Sequence, residues 1–179
     1  MLFRSGSYRG GSALVLRRLA QEKHLHLFDT WSGNPYQDPL CHHGKGEWAA
    51  TLEGCREVVG NGELTWYHVG IFPTNIDGLV GTSSNSNRIP HFSFVYIDMD
   101  TYQATKDALE FFWQYIVPGG VMMIDDYNWE PCAGVRKAID EIFPDDECRR
   151  YGHMQTGLSG CANKRVIQSL CACVLKKVP

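Results

Sequence analysis

Two apolar runs in this chain end on pairs of carboxylates. The stretch "FSFVYIDMDTY" carries Asp98 and Asp100, and "VMMIDDYNW" carries Asp125 and Asp126. An ionised carboxylate at a buried strand end costs on the order of several kcal/mol unless it is paired, hydrogen-bonded or metal-bound. Four of them at neighbouring strand ends repel one another unless a cation intervenes. Hard oxygen ligands from two loops suit Mg²⁺, with water and substrate oxygens completing an octahedron. Zinc is a poorer match, because neither stretch supplies a His or Cys. A simpler role stays open for Asp100 and Asp126, as caps of the helix or turn that follows each.

Two further features belong to the same chemistry. In "GSYRGGS", Gly6, Gly10 and Gly11 surround Ser7, Tyr8 and Arg9, with Ser12 next. Glycines between a strand and a helix let the backbone approach a ligand and expose helix-start amides; a tight corner with no ligand is the alternative. Asp29 closes "LHLFD" roughly 20 residues further on, where an acid accepts hydrogen bonds from ribose hydroxyls. Together they point to a nucleoside-containing cofactor, and the carboxylate disfavours a 2'-phosphate, so NADP is a poor match. Tyr127 and Trp129 follow the Asp pair closely enough to be candidates for lining a substrate pocket. Cys41-His42-His43 lacks a partner at ligand spacing and reads as a solvated loop, Trp31 and Trp48 read as core, and Cys171 and Cys173 as packing.

The elements that must position these groups follow from an alternation of apolar runs, turns and amphipathic runs, which predicts β-α units around a parallel sheet. Strands are expected at 1–3, 25–29, 64–70, 92–97 and 121–124, and helices at 12–22, 46–59, 102–116 and 132–143. "NIDGLV" reads as one short helix, "GTSSNSNRIP" as a loop, and "PGG" (118–120) as a helix breaker. Two strand candidates in succession, "RRYGHMQ" and "VIQSLCACVL", predict an antiparallel hairpin at the sheet edge. The fold class is therefore α/β, a Rossmann-like doubly wound, mostly parallel sheet with an antiparallel C-terminal edge hairpin. In such a sheet ligands bind outside the carboxyl ends of the strands, which puts the Gly-rich turn and all five acids on one rim.

The totals set bounds on function. With 179 residues, 44% of them hydrophobic, one domain with its own core is expected. A net charge of −3 without a basic stripe argues against a nucleic-acid partner. No apolar stretch approaches the ~20 residues of a membrane span, and the chain reads as soluble and cytoplasmic. Seven cysteines without a C-x-x-C pair read as reduced thiols.

The block "YIDMDTYQATKDALEFFWQYIVPGGVMMIDDY" with "GVRKAIDEIF", preceded by "GSYRGGSA", "LHLFDTWSG" and "YHVGIFP", resembles the macrocin O-methyltransferase (TylF) family of class I S-adenosylmethionine-dependent methyltransferases. The resemblance runs from about residue 3 to residue 143. It implies S-adenosylmethionine over Gly6, Ser7, Tyr8, Gly10 and Ser12, with Asp29 on its ribose and Asp98 beside it. It implies Mg²⁺ held by Asp98, Asp125 and Asp126, with Asp100 second to Asp98 as ligand, and a base drawn from Asp98 and Asp100. It implies a small hydroxylated acceptor, typically a sugar of a natural product, and a homodimer. Two departures stand out: Arg4 occupies a position that is usually acidic, and the chain starts at the first strand, without the helical segment that precedes it in the family. The expected activity is a Mg²⁺-assisted O-methyl transfer. Its rivals are a non-catalytic binding module of the same fold and an NAD-dependent oxidoreductase.

Overall fold

The computed structural model describes residues 1–79, 91–143 and 171–175. Strand β1 (Leu2–Ser5) leads through the Gly-rich turn into helix α1 (Gly11–Leu19), and β2 (Leu25–Asp29) is followed by a long loop and α2 (Leu52–Val59). Then come β3 (Thr65–Val69), a 3-10 turn at Ile76–Leu79, β4 (Phe92–Ile97), α3 (Tyr102–Tyr115), β5 (Ile116–Asp125), a second 3-10 turn, α4 (Ala133–Ile142) and β6 (Cys171–Leu175). The sheet order is β3-β2-β1-β4-β5-β6, with the first five strands parallel and β6 antiparallel to β5. The order reverses between β1 and β4, so the crevice for a ligand opens there. No helix among the described residues is long and apolar enough to cross a membrane.

Strands of a parallel sheet are covered on both faces, and this one divides its side chains accordingly. Leu2, Leu25 and Leu27 pack with Ala13 of α1 and with Cys55 and Val59 of α2. Phe3, Phe28, Phe92, Val95, Ile97, Met122 and Ile124 pack on the other face with Ala108, Leu109 and Phe112 of α3 and Val135, Ala138 and Ile139 of α4. Rings interlock at the centre, where Phe3 lies 3.9 Å from Phe112 and 4.7 Å from Phe28, centroid to centroid.

Three elements differ from their expected form. The helix expected from residue 46 starts only at Leu52, because Gly46 and Trp48 have left-handed φ of 84° and 60°, and Thr51 Oγ1 caps the helix by accepting from the Gly54 amide at 3.0 Å. The "PGG" segment does not separate α3 from β5. It lies inside β5, whose pairing with β4 shifts register between Phe92 and Phe94, with Gly119 at φ 77°. Of the expected C-terminal hairpin, β6 is present. Its other half, like the loop expected at 81–90 and the packing of Cys171 and Cys173, lies outside the described residues and side chains.

Candidate active site

The turn after β1 is shaped by two glycines in left-handed conformation, Gly6 at φ 65° and Gly10 at φ 85°. A Cβ on Gly6 would overlap the Asp98 carbonyl oxygen, so the turn lies directly on the end of β4. Asp29 ties it to the end of β2: Oδ2 accepts from the Tyr8 amide and Oδ1 from the Trp31 amide, both at 2.7 Å. A carboxylate offers about four lone-pair sites, so acceptor capacity remains for ribose hydroxyls. Ser7, Gly10 and Ser12, expected among the cofactor contacts, brace the turn and are not among the residues that line the cavity. Ser7 is buried with its hydroxyl near the carbonyls of Arg4 and Phe28, Gly10 packs against α2, and Ser12 Oγ accepts from Arg4 Nε at 2.8 Å.

Arg4 is only 4% exposed and organises the floor of the site. Its Nη2 donates to Asp98 Oδ2 at 2.6 Å, its Nη1 donates to the Ser5 carbonyl, and the guanidinium lies 4.3 Å from the Tyr96 ring centroid. The Tyr96 hydroxyl in turn donates to Asp125 Oδ2 at 2.6 Å. Asp98, the expected strand-four metal ligand, is thus partly neutralised by an arginine. Burial still pushes its carboxyl up to about 6, with Arg4 opposing the rise.

The tight cation-sized cluster is a different one. Among the described residues, carboxylate oxygens of Asp100 and Asp126 and the Cys132 thiol lie within 4.8 Å of one another. Asp126 is 8% exposed, and burial followed by the fields of Asp98, Asp125 and Asp100 raises its carboxyl to about 8. Asp100 is raised by burial as well, against an opposing pull from His43. Burial, then Asp100, also raises the Cys132 thiol, and the hard donors of the cluster are the oxygens of Asp100 and Asp126. Asp100 does not cap α3. Asp38 does so, Oδ2 accepting from the Tyr102 amide at 2.6 Å.

One cavity of about 350 Å³ joins these parts. Gly6, Tyr8, Asp29, Asp98, Asp100, Asp125, Asp126 and Trp129 line it, on the one rim where the strand-end rule puts them. Tyr127 does not: it packs in the core and its hydroxyl donates to Asp140 Oδ1 at 2.8 Å. Sequence reasoning missed Asn34, Trp48, Ile71, Phe72 and Met99, which also line it. It also missed the loop between β2 and α2 as a wall of the site. There Cys41 is buried with its sulfur 3.8 Å from that of Cys132, the His42 amide donates to the Pro131 carbonyl, and His43 sits against Trp48 and Trp129. The Asp38 cap on α3 was the nearest signal, but it is visible only once the fold brings the loop across.

A model of the methyltransferase domain matches residues 3–127. The 8-demethyl-8-(2,3-dimethoxy-alpha-L-rhamnosyl)-tetracenomycin-C 4'-O-methyltransferase of Streptomyces olivaceus is 26% identical over 146 residues, 73% of this chain and 54% of that protein. The chain therefore spans about half the length of this curated relative. Among solved structures, the O-methyltransferase NovP superposes with a TM-score of 0.70 at 17% identity, covering 99% of this chain and 72% of that one. The calicheamicin methyltransferase CalS11 gives 0.66 at 18%, covering 81% and 64%. An O-methyltransferase from Bacillus cereus in complex with SAH gives 0.53 at 15%, covering 79% and 60%. At these identities the likeness is one of fold. With the family match spanning more than half of its length, the chain belongs to the methyltransferase-domain family and has the Rossmann-like class I methyltransferase fold.

Proposed function

We propose that this chain is the S-adenosylmethionine-dependent, Mg²⁺-assisted O-methyltransferase domain of a TylF-type enzyme, acting on a hydroxyl of a small molecule, such as a sugar. The observation that carries the reading is the single cavity lined by the Gly-rich turn, Asp29 and the acids of β4 and β5 together. The sugar acceptor is supported by the rhamnosyl substrate in the Streptomyces relative's name, and the donor by the SAH complex of a structural neighbour.

The residues fit both groups. Gly6 lets the turn pack directly on the end of β4, which brings its backbone to the wall of the cavity where a nucleoside donor would lie. Asp29 retains acceptor capacity, and Phe28, Ile71, Phe72 and Met99 give the same cavity an apolar wall for a base. The donor, when bound, supplies a sulfonium methyl for in-line attack by an oxygen. Asp100 and Asp126 would hold a hard cation, which when bound lowers the pKa of an acceptor hydroxyl. Asp98, paired with Arg4 and lining the cavity, would take the hydroxyl proton in this reading, a contribution of roughly 10²- to 10⁴-fold. The walls orient the acceptor and limit water.

A second reading, a binding domain without turnover, is favoured by the Arg4–Asp98 ion pair, which ties up the strand-four acid. Calorimetric titration of S-adenosylhomocysteine and of NAD, each with and without Mg²⁺, tests both. S-adenosylhomocysteine binding, followed by Mg²⁺-dependent methylation of a glycoside, is expected. Binding without turnover supports the second reading, and NAD binding alone overturns both.

A further inference from the structure

Both indoles that line the cavity are substantially exposed, Trp48 by 48% and Trp129 by 36%. They belong to one aromatic rim. The Tyr8 ring meets Trp48 edge-on at 5.8 Å, and the His43 imidazole stands 5.1 Å from Trp48 and 5.4 Å from Trp129, centroid to centroid. The rim is braced rather than loose. His43 Nδ1 lies 3.1 Å from Glu47 Oε2, while its buried Nε2 finds no hydrogen-bond partner among the described residues. Tyr8 and Trp48 both hold left-handed backbone, at φ 47° and 60°, which is uncommon for large side chains and costs free energy wherever it occurs. The indole surface left in water beside a cluster of carboxylates gains nothing from burial in the free protein. It does suit a ligand with an apolar face and a polar edge.

The rest of the lining says which kind of ligand. Asp29, Asp98, Asp100, Asp125 and Asp126 share the cavity, and the described residues lining it include no Lys or Arg. Arg4 beneath the floor pairs with Asp98 alone, so a diphosphate would enter a cavity lined with an excess of acidic groups. We propose that Trp48 and Trp129 are specificity-determining residues that stack the flat, uncharged portion of the acceptor, selecting an aryl-type glycoside over a nucleoside-diphosphate sugar. The inference rests on the methyl-transfer reading for the identity of the cavity as an acceptor site.

The test uses three probes sharing one sugar: 4-nitrophenyl α-L-rhamnopyranoside, methyl α-L-rhamnopyranoside and dTDP-L-rhamnose, titrated calorimetrically with S-adenosylhomocysteine and Mg²⁺ present. The aryl glycoside is expected to bind about tenfold or more tightly than the methyl glycoside, and more tightly than the nucleotide sugar, a difference in keeping with one aromatic stacking contact. Trp48→Ala and Trp129→Ala should each remove that preference, while Trp48→Phe and Trp129→Phe keep most of it. The Phe variants separate a lost ring from a damaged fold. Equal affinity for the aryl and methyl probes, tighter binding of dTDP-L-rhamnose, or an undiminished preference in both alanine variants overturns the proposal. So does the failure of all three probes to bind a protein that takes S-adenosylhomocysteine. If S-adenosylhomocysteine itself does not bind, the methyl-transfer reading falls, and the aryl preference with its loss in the alanine variants still decides whether the rim stacks an aryl group.

Discussion

Arg4→Met tests how the floor of the site is held. Methionine keeps much of the apolar stem and removes the guanidinium. Asp98 then loses its cation, and removing one member of a buried pair typically costs ~3–5 kcal/mol. Asp98 keeps 26% of its side-chain exposure. Water can therefore screen part of the orphaned charge, and a loss of about 2–3 kcal/mol is the better expectation. The substitution also removes the donor to Ser12 and the cation over Tyr96, so the single variant alone would overstate the ion pair. A double-mutant cycle with Asp98→Asn isolates it. Urea denaturation at pH 7 should show a coupling of about 2 kcal/mol, with Arg4→Met/Asp98→Asn more stable than Arg4→Met alone. Raising the salt from low to moderate ionic strength should change this coupling little, since a pair this enclosed is poorly screened. A coupling under ~0.5 kcal/mol, the size of an exposed pair, would refute the view that Arg4 and Asp98 form one buried unit.

The other expectations are as direct. Gly6→Ala places a methyl group against the Asp98 carbonyl at a φ of 65°, so it should lower stability by more than ~1 kcal/mol and weaken S-adenosylhomocysteine binding at least tenfold by calorimetry. Unchanged binding would show that the turn does not approach the donor. Mg²⁺ should raise the melting temperature of the wild-type protein by mass action, with no such rise in Asp126→Asn; an equal rise in both removes Asp126 from the cation site. His26 and His68 face each other at 3.0 Å inside the sheet. Burial lowers His26 to about 3, with His68, His24 and the N-terminus adding to the effect, and burial lowers His68 to about 4. The unfolded chain binds protons below pH 6.5 that the folded one refuses, so stability should fall from pH 6.5 toward pH 4, by about 2 kcal/mol per imidazole at pH 5. Acid titration of His26→Gln should show a shallower fall, and an equally steep one would locate the acid sensitivity elsewhere.

Much of this architecture is legible in the sequence because local signals and tertiary placement agree. Leu25–Asp29 and Phe92–Ile97 read as strands from their apolar runs and form β2 and β4 with those bounds, and α3 ends one residue from its expected limit. The acids can be placed on one rim because strands of a parallel sheet all deliver their carboxyl ends to the same side. What stays hidden has a common cause: pairings between residues distant in sequence with no periodicity to announce them. Arg4 and Asp98 are 94 residues apart, Cys41 and Cys132 are 91 apart, and His26 and His68 are 42 apart. Trp48 misleads for a different reason. Its apolar spacing continues that of α2, but two left-handed residues, Gly46 and Trp48, break the helix before it starts. Tyr127 misleads because adjacency to Asp126 says nothing about direction, and its ring turns inward to Asp140.

The distribution of backbone strain bears on whether the site turns over substrate or only binds. Five non-glycine residues among those described have positive φ: Tyr8, Trp31, Trp48, Asp100 and Asp126. Four of them line the one cavity, and Trp31 hydrogen-bonds to Asp29 beside it. Left-handed backbone costs roughly 1–2 kcal/mol per ordinary residue and somewhat less for Asp, so its concentration here is offset by the packed core elsewhere. A domain that only bound a nucleoside would need the glycine turn and Asp29. It would not need Asp100 and Asp126 both held in that conformation with their carboxylates side by side, where burial and mutual repulsion oppose ionisation. The acids that lie beyond the donor's needs, and not the turn itself, are therefore what separates the catalytic reading from the binding one.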